Sequence, residues 1–218
     1  MKLITWNMQG ASHSTENKWN EGVMNFFGSR SADICCLQEC GGVPASAQLV
    51  NANYGGIVNL QYYTWGTLRS QKHILFYPAD PNGNRCNIAI VAKFAPIGSG
   101  LVFPAVAPVW RPALGFQIDA TNFVFSFHAI SPGGPDAANM LTAINNTVGN
   151  NWITAGDYNR EPPTLLTPYT ICPPNNNTYS STNPTRAIDY CVNNVNSAIT
   201  GTVLGLYLSD HFSVEYTF

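Results

Sequence analysis

The chain has 218 residues, a formal net charge of -2 at pH 7 and only 10% charged residues. Its length fits one domain, residues 1–218, because folds of this size often keep a single core. The slightly negative charge excludes a global positive field for attracting polyanions, so any contact with nucleic acid must be local. A polar surface with few charges favours secretion over a crowded cytosol.

The sequence contains no run of eighteen apolar residues, and we therefore expect no stable membrane insertion. A strand-like pattern begins at Lys2, which leaves no room for a signal peptide. We expect a secreted protein whose leader has been removed, the alternative being a cytosolic protein.

Apolar and alternating patterns predict ten strands in chain order. They are Leu3–Met8, Asp33–Glu39, Ile74–Tyr77, Asn87–Lys93, Leu114–Asp119, Asn122–Ala129, Trp152–Ala155, Ala187–Asn193, Thr202–Leu208 and Phe212–Phe218. Two helices, Glu16–Phe27 and Pro135–Val148, carry their apolar residues on one face. Many strands with few helices predict two packed sheets flanked by helices.

Six cysteines lack the paired spacing of a zinc site: Cys35, Cys36, Cys40, Cys86, Cys172 and Cys191. An even number of cysteines in a secreted protein favours disulfides. We expect a bridge between Cys172 and Cys191, which would close a Pro- and Asn-rich loop and contribute about 3 kcal/mol in the chain-entropy model.

Several polar residues stand where strand patterns end. Glu39 ends a buried strand, and carboxylates are the ligands that hard cations such as Mg²⁺ prefer. His128 ends a second strand, and His211 near the C-terminus has Asp189 available to orient it, which suits the activation of a water molecule. Each residue alone also fits a solvated strand end or a structural histidine. Their joint order favours hydrolysis of a phosphate ester.

Together these fragments resemble the DNase I-like endonuclease, exonuclease and phosphatase superfamily. The resemblance runs from Trp6 to Phe212. It rests on Trp6-Asn7, Gln38-Glu39, the His128 strand, Gly156-Asp157-Tyr158-Asn159, Asp189-Tyr190 and Ser209-Asp210-His211. Within the superfamily the chain is similar to the B subunits of cytolethal distending toxins, notably over Thr5–Ser12, Ser14–Asn20, Asn87–Val91, Trp110–Pro112, Gly133–Ala138 and Arg186–Tyr190.

The resemblance implies an α/β fold, a four-layer α/β/β/α sandwich of two mainly antiparallel sheets flanked by helices, with the active site at one rim. It implies that Glu39 binds the metal, with Asn7 and Asp210 as additional ligands or orienting groups.

The resemblance also implies catalytic roles. Asp189 would orient His211, which would accept a proton from the attacking water. Asp157 and Asn159 would position that water and the phosphate, and His128 would act on the leaving oxygen. Phosphate contacts would come from Arg111 and, with weaker support, from Arg85, Arg160 and Arg186. His13 and His73 match none of the fragments and are expected to be bystanders.

The resulting hypothesis is a Mg²⁺-dependent endonuclease that nicks double-stranded DNA, with Mn²⁺ or Ca²⁺ as alternative ions. It would be the active subunit of a genotoxin acting in a target-cell nucleus, with delivery or lectin-like subunits as partners. One alternative is a phosphoinositide phosphatase or a phospholipid phosphodiesterase. For a membrane-acting enzyme the apolar segments Phe94–Pro96 and Leu101–Pro104 could face a membrane, although both segments are more simply predicted to be partly buried loops. The other is a catalytically silent protein that serves only in binding.

Overall fold

The structure is a computed structural model that describes residues 1–10, 15–80, 85–98, 100–103, 111–206 and 208–218. No helix within these ranges is long and apolar enough to cross a membrane. The strands are β1 Lys2–Asn7, β2 Ile34–Gln38, β3 Gln48–Asn51, β4 Gln61–Trp65, β5 Lys72–Tyr77, β6 Ile88–Ala92, β7 Leu101–Phe103, β8 Ala113–Gln117, β9 Asn122–His128, β10 Asn151–Asp157, β11 Thr170–Cys172, β12 Asp189–Asn193, β13 Thr202–Leu204 and β14 Ser213–Thr217. The helices are α1 Thr15–Asn17, α2 Met24–Gly28 and α3 Ala137–Val148, with a π-helical segment Lys18–Val23 between α1 and α2 and 3₁₀ turns at Tyr54–Gly56 and Pro162–Thr164.

The strands described form two sheets. The first has the order β13-β14-β1-β2-β6-β5-β4-β3, and the second has the order β11-β12-β10-β9-β8-β7. Pairing is parallel between β1 and β2 and between β9 and β10, and it is antiparallel at the other strand pairs. Both parallel pairs lie next to the centre of their sheets, so their carboxyl ends reach one rim of the molecule.

Three apolar clusters separate four layers. Ile4 and Trp6 on β1 face the first helical run, where they meet Val23 and Phe26. Leu3, on the opposite face of the same strand, packs between the sheets with residues of β8, β9 and β10. The third cluster joins the second sheet to α3. Because side chains alternate between the two faces of β1, this strand contributes to two cores. The predicted α/β/β/α sandwich is confirmed.

The predicted strands all appear, with shifts of a few residues at their ends. The patterns do not predict β3, β4, β7 or β11. The sequence predicts a loop at Leu101–Phe103, which instead pairs with β8, whereas Pro104 lies outside the described residues. The strand predicted over Thr202–Leu208 ends at Leu204, and Tyr207 within that range is also outside the described residues.

The predicted disulfides are wrong, because all six cysteines are free. Cys35 and Cys36 are consecutive on β2 and point into different cores. Cys172 and Cys191 are opposite each other in the register of β11 and β12, but the Cys172 thiol donates to Ser197 O at 3.2 Å. That thiol also accepts a hydrogen bond from Asn193 Nδ2 at 3.3 Å, so it is turned toward the loop after β12.

Candidate active site

Strand register places the polar residues of the second sheet in one row. Asp157 at the end of β10 is paired with His128 at the end of β9 and with Asp189 at the start of β12. The first sheet contributes Asn7 at the end of β1 and Glu39 directly after β2. Because the two sheets face each other, these five residues meet at the same rim.

Direct hydrogen bonds join the two halves of this rim. Asn7 Nδ2 donates to Asp157 Oδ2 at 3.0 Å and, at 3.5 Å, to Glu39 Oε1. Beneath them, buried Gln38 Nε2 donates to Ser126 Oγ at 3.0 Å, which donates in turn to Leu37 O at 3.0 Å. This buried network fixes β2 against β9 and therefore sets the distance between Glu39 and the residues of the second sheet.

His211 and Asp189 form a buried pair. Nδ1 of His211 lies 2.9 and 3.1 Å from the two carboxylate oxygens of Asp189. The other ring nitrogen, Nε2, lies 3.8 Å from Asp157 Oδ2. The backbone of His211 is held by Trp6, whose Nε1 donates to its carbonyl oxygen at 3.1 Å. The imidazole is therefore oriented from one side and presents Nε2 to the cleft.

His128 lies on the opposite side of Asp157. Its Nε2 is 3.5 Å from Asp157 Oδ2 and 3.8 Å from Glu39 Oε1, and Arg111 Nη1 donates to the same nitrogen. Arg111 also donates to Ala129 O at 2.9 Å, so its guanidinium is anchored beside the ring. Nδ1 of His128 is buried without a hydrogen-bond partner among the described residues.

Asn159 is tied closely to Asp157. Its backbone N–H donates to Asp157 Oδ1 at 2.7 Å, and its side-chain amide donates to Ala129 O at 2.9 Å. Asn159 has φ of 50° and Glu39 has φ of 46°, a left-handed conformation that is uncommon for residues other than glycine. Strained backbone at two candidate site residues is typical of functional positions.

A cleft of about 310 Å³ opens over these groups. It is lined by Gln9, Glu39, Arg85, Arg111, His128, Ser131, Asp157, Asn159, Tyr179, Arg186, Ile188, Asp210 and His211. Arg160 does not line it, because its guanidinium donates to Gly133 O at 2.7 Å and Thr164 O at 3.0 Å. The structure thus brings three of the four candidate arginines to the cleft.

The two histidines have opposite charge preferences. Burial lowers the pKa of His128 well below its ordinary value, and the positive charges of Arg111 and His211 lower it further. Burial also opposes the charged form of His211, but attraction to Asp189, Asp157 and Asp210 prevails and raises its pKa to about 10. At neutral pH these residues by themselves give a protonated His211 and a neutral His128.

Carboxylates suitable for a cation lie between the histidines. Burial raises the pKa of Glu39, and burial together with the charge of Asp189 raises the pKa of Asp157 to about 7. Ligand atoms of Asp157, Asp189 and His211 lie within 4.8 Å of one another and could hold a metal. Because His211 and Asp189 already bind each other, we regard the oxygens of Glu39 and Asp157 as better donors for a hard cation.

The roles of two residues at or beneath the cleft do not follow from the sequence fragments. The sequence marks Gln38 only as part of a motif, and nothing in the pattern indicates that it joins the two sheets. Tyr179 lies against His211, with ring centroids 4.7 Å apart, although the sequence places it only in a Pro- and Asn-rich loop before Asp189. His13, an expected bystander, and Trp110, part of the sequence resemblance, lie outside the described residues. His73, the other expected bystander, contacts Tyr62 on β4 rather than the cleft.

A model of the Endonuclease/Exonuclease/phosphatase family matches residues 4–211 of the chain. The chain therefore belongs to the endonuclease/exonuclease/phosphatase family.

Within this family the chain is similar to the B subunits of cytolethal distending toxins, as the motifs predicted. It is 34% identical over 178 residues to a homolog of the toxin's B subunit from Salmonella typhi, covering 75% of this chain and 65% of that relative. It is 32% identical over 179 residues to the B subunit of the Escherichia coli cytolethal distending toxin, covering 75% and 66%. The chain thus spans just under two thirds of the length of these relatives.

The crystal structure of the Haemophilus ducreyi cytolethal distending toxin contains a similar chain. The TM-score is 0.86 at 28% identity, covering 99% of this chain and 97% of that one. Similarity over nearly the whole fold supports a hydrolase of the nuclease and phosphatase type.

Proposed function

We propose that the chain is a divalent-metal-dependent endonuclease that nicks double-stranded DNA, acting as the active subunit of a genotoxin. The observation that carries this proposal is the position of the Asp189–His211 pair and His128 on either side of Asp157, within 4 Å of its carboxylate. Phosphodiester hydrolysis needs a group for the attacking water and a group for the leaving oxygen. Two histidines that flank a carboxylate can provide both.

In this mechanism Asp189 holds the imidazole of His211 so that Nε2 faces the substrate. The raised pKa means that His211 starts protonated, and it can accept a proton from water only after losing that proton. A divalent cation at Glu39, with Asn7 and Asp210 nearby, would neutralise phosphate charge and favour the neutral form of His211 by repulsion. Asp157 and Asn159 position the water and the phosphate.

His128 acts on the leaving oxygen beside Arg111. Because its pKa is low, its ring is neutral, and Nε2 accepts the hydrogen bond from Arg111 and carries no proton. The positive charge at that side therefore comes from Arg111. To protonate the leaving oxygen, His128 must first take up a proton, which the negative charge of a bound phosphate would favour. Arg85 and Arg186 line the same cleft and are proposed as further phosphate contacts. Such a local group of arginines supplies the attraction that the net charge of -2 does not. We leave Arg160 out of the proposed contacts.

The test is conversion of supercoiled plasmid to open circles with Mg²⁺ or with EDTA, using the parent protein, His128→Ala and His211→Ala. Each substitution should reduce the rate by about 10²- to 10⁴-fold, the contribution of one general acid or base. His73→Ala is the matched control, since His73 lies on β5 and contacts Tyr62. Mn²⁺ and Ca²⁺ in place of Mg²⁺ would identify the preferred ion.

Nicking that needs the metal and both histidines supports the endonuclease. If the folded protein fails to nick DNA but hydrolyses phosphoinositides or sphingomyelin with the same dependence on His211, the substrate proposal is wrong and the phosphate-ester chemistry holds. Failure on all these esters would leave a protein that serves only in binding. The toxin proposal is tested by delivering parent and His211→Ala proteins into cultured cells and scoring nuclear DNA breaks.

A further inference from the structure

Lys18 is a buried lysine at the start of the π-helical segment, with 7% of its surface exposed. It lies in the segment Ser14–Asn20, which carries part of the sequence resemblance but has no part in the proposed mechanism. Its Nζ donates to Met8 O at 2.6 Å and to Gln9 O at 3.3 Å. The ammonium therefore binds the backbone directly beyond the end of β1.

The Met8–Gln9 corner is connected to the candidate site at two points. Gln9 has φ of 50°, and its backbone N–H donates to Asn7 Oδ1 at 2.9 Å, which orients the Asn7 amide. Its side-chain Oε1 accepts a hydrogen bond from the backbone N–H of Asp210 at 3.2 Å. A residue keeps a left-handed conformation when its surroundings hold it there. Lys18 contributes to this, because its ammonium donates hydrogen bonds to both carbonyl oxygens of the corner.

Trp19, the next residue, binds the backbone beyond the neighbouring strand β2. Trp19 Nε1 donates to Cys40 O at 3.2 Å and to Gly42 O at 2.9 Å, directly after Glu39. One helical segment thus anchors the chain beyond β1 and beyond β2, the two strands that deliver Asn7 and Glu39.

We propose that Lys18 is a positioning residue whose ammonium holds the Met8–Gln9 corner and, through it, the side chain of Asn7 and the backbone of Asp210. This inference rests on the proposed cation site. Without the two hydrogen bonds of Nζ, the left-handed Gln9 can relax, and Asn7 and Asp210 then move relative to Glu39. Lys18 therefore keeps the groups around the proposed cation in place.

The test compares Lys18→Met, Lys18→Arg and Lys72→Met in thermal unfolding titrated with Mg²⁺, which needs no activity. Lys18→Met removes both hydrogen bonds to the corner and should weaken apparent Mg²⁺ binding by about tenfold, whereas Lys18→Arg keeps donors for the two carbonyls and should bind Mg²⁺ as the parent does. Lys72 is the matched control, because it is equally buried and donates to a backbone carbonyl, that of Ser70. Lys72→Met should lower the melting temperature by the same amount with and without Mg²⁺.

Nicking at saturating Mg²⁺ tests the pinning role. Lys18→Met should lower kcat about tenfold or more with little change in KM for plasmid, because Asn7 and Asp210 lose their alignment while the arginines of the cleft remain. Lys18→Leu, which also removes both hydrogen bonds to the corner, replaces Lys18→Met if the latter does not fold. Unchanged kcat would contradict pinning.

The Mg²⁺ titration also separates the two proposals. If Lys18→Met binds Mg²⁺ as tightly as the parent does, the positioning role of Lys18 is refuted even when the parent nicks DNA. A parent that does not nick, together with weaker Mg²⁺ binding in Lys18→Met, would refute the endonuclease and support the role of Lys18. A parent that binds no Mg²⁺ would overturn both.

Discussion

The Asp189–His211 pair allows a prediction with a definite sign and size. Asp189→Asn keeps the shape of the side chain and removes the charge 2.9 Å from Nδ1 of His211. Asp189 is the largest of the influences that raise the pKa of His211 from 6.5 to about 10. Since one neighbouring charge typically moves a pKa by about 1 to 3, we expect the pKa of His211 to fall by roughly 2, or about 3 kcal/mol.

The effect on stability follows from the direction of the shift. Because the folded protein raises the pKa of His211, the stabilisation is fully present below pH 6.5 and is lost as the pH rises toward about 10. Asp189→Asn should therefore flatten the fall in unfolding free energy between pH 6.5 and 10. The acid limb of any pH–rate profile should move to lower pH in the same variant.

Nuclear magnetic resonance of the imidazole carbons measures this pKa directly. The His73 signal is an internal control, because the pKa of His73 is lowered by burial and by Lys72 rather than by any group of the cleft. If His211 titrates in Asp189→Asn at the same pH as in the parent, Asp189 is not what holds its proton, and the assignment of the pair is refuted.

Three other predictions concern the fold. Gly156→Ala should destabilise the protein by roughly 3 kcal/mol, because a Cβ there would lie 1.7 Å from Phe127 O. Denaturant unfolding would measure this loss of stability, and parent-like stability would contradict the close approach of β9 and β10. Leu141→Ala, on the fully buried face of α3, should cost about 2–5 kcal/mol while the folded fraction keeps its activity, whereas a loss of specific activity would show that α3 influences the site. Thiol titration in denaturant should find six free thiols with or without prior reduction, and fewer without reduction would restore the disulfide hypothesis.

Much of the fold is predictable because strands buried on both faces leave continuous apolar runs. β2, Ile34–Gln38, and β6, Ile88–Ala92, are buried at every position, and their apolar runs predict them directly. β3 is exposed at every position, so no burial pattern marks it. β11 has only three residues, too few for a period to be recognised.

The candidate site is predictable to the extent that its residues end such runs. His128 and Asp157 follow apolar strands that pair in parallel, so their meeting follows from topology. The role of Lys18 could not be inferred in this way, because its partners are the backbone carbonyls of a turn. Nor does composition distinguish free cysteines from paired ones: Cys172 and Cys191 share one core and still form no bridge.

The site is divided between two sheets, so catalysis depends on how the two sheets are aligned. Asn7 and Glu39 belong to one sheet, Asp157 and His128 to the other, and the bond between Gln38 and Ser126 is a buried tie between them. A slide of one sheet over the other by a fraction of an ångström would leave every strand intact and still separate the reacting groups. On heating, catalysis should therefore disappear before the circular dichroism of the strands changes, which makes activity a sensitive gauge of how the sheets are aligned.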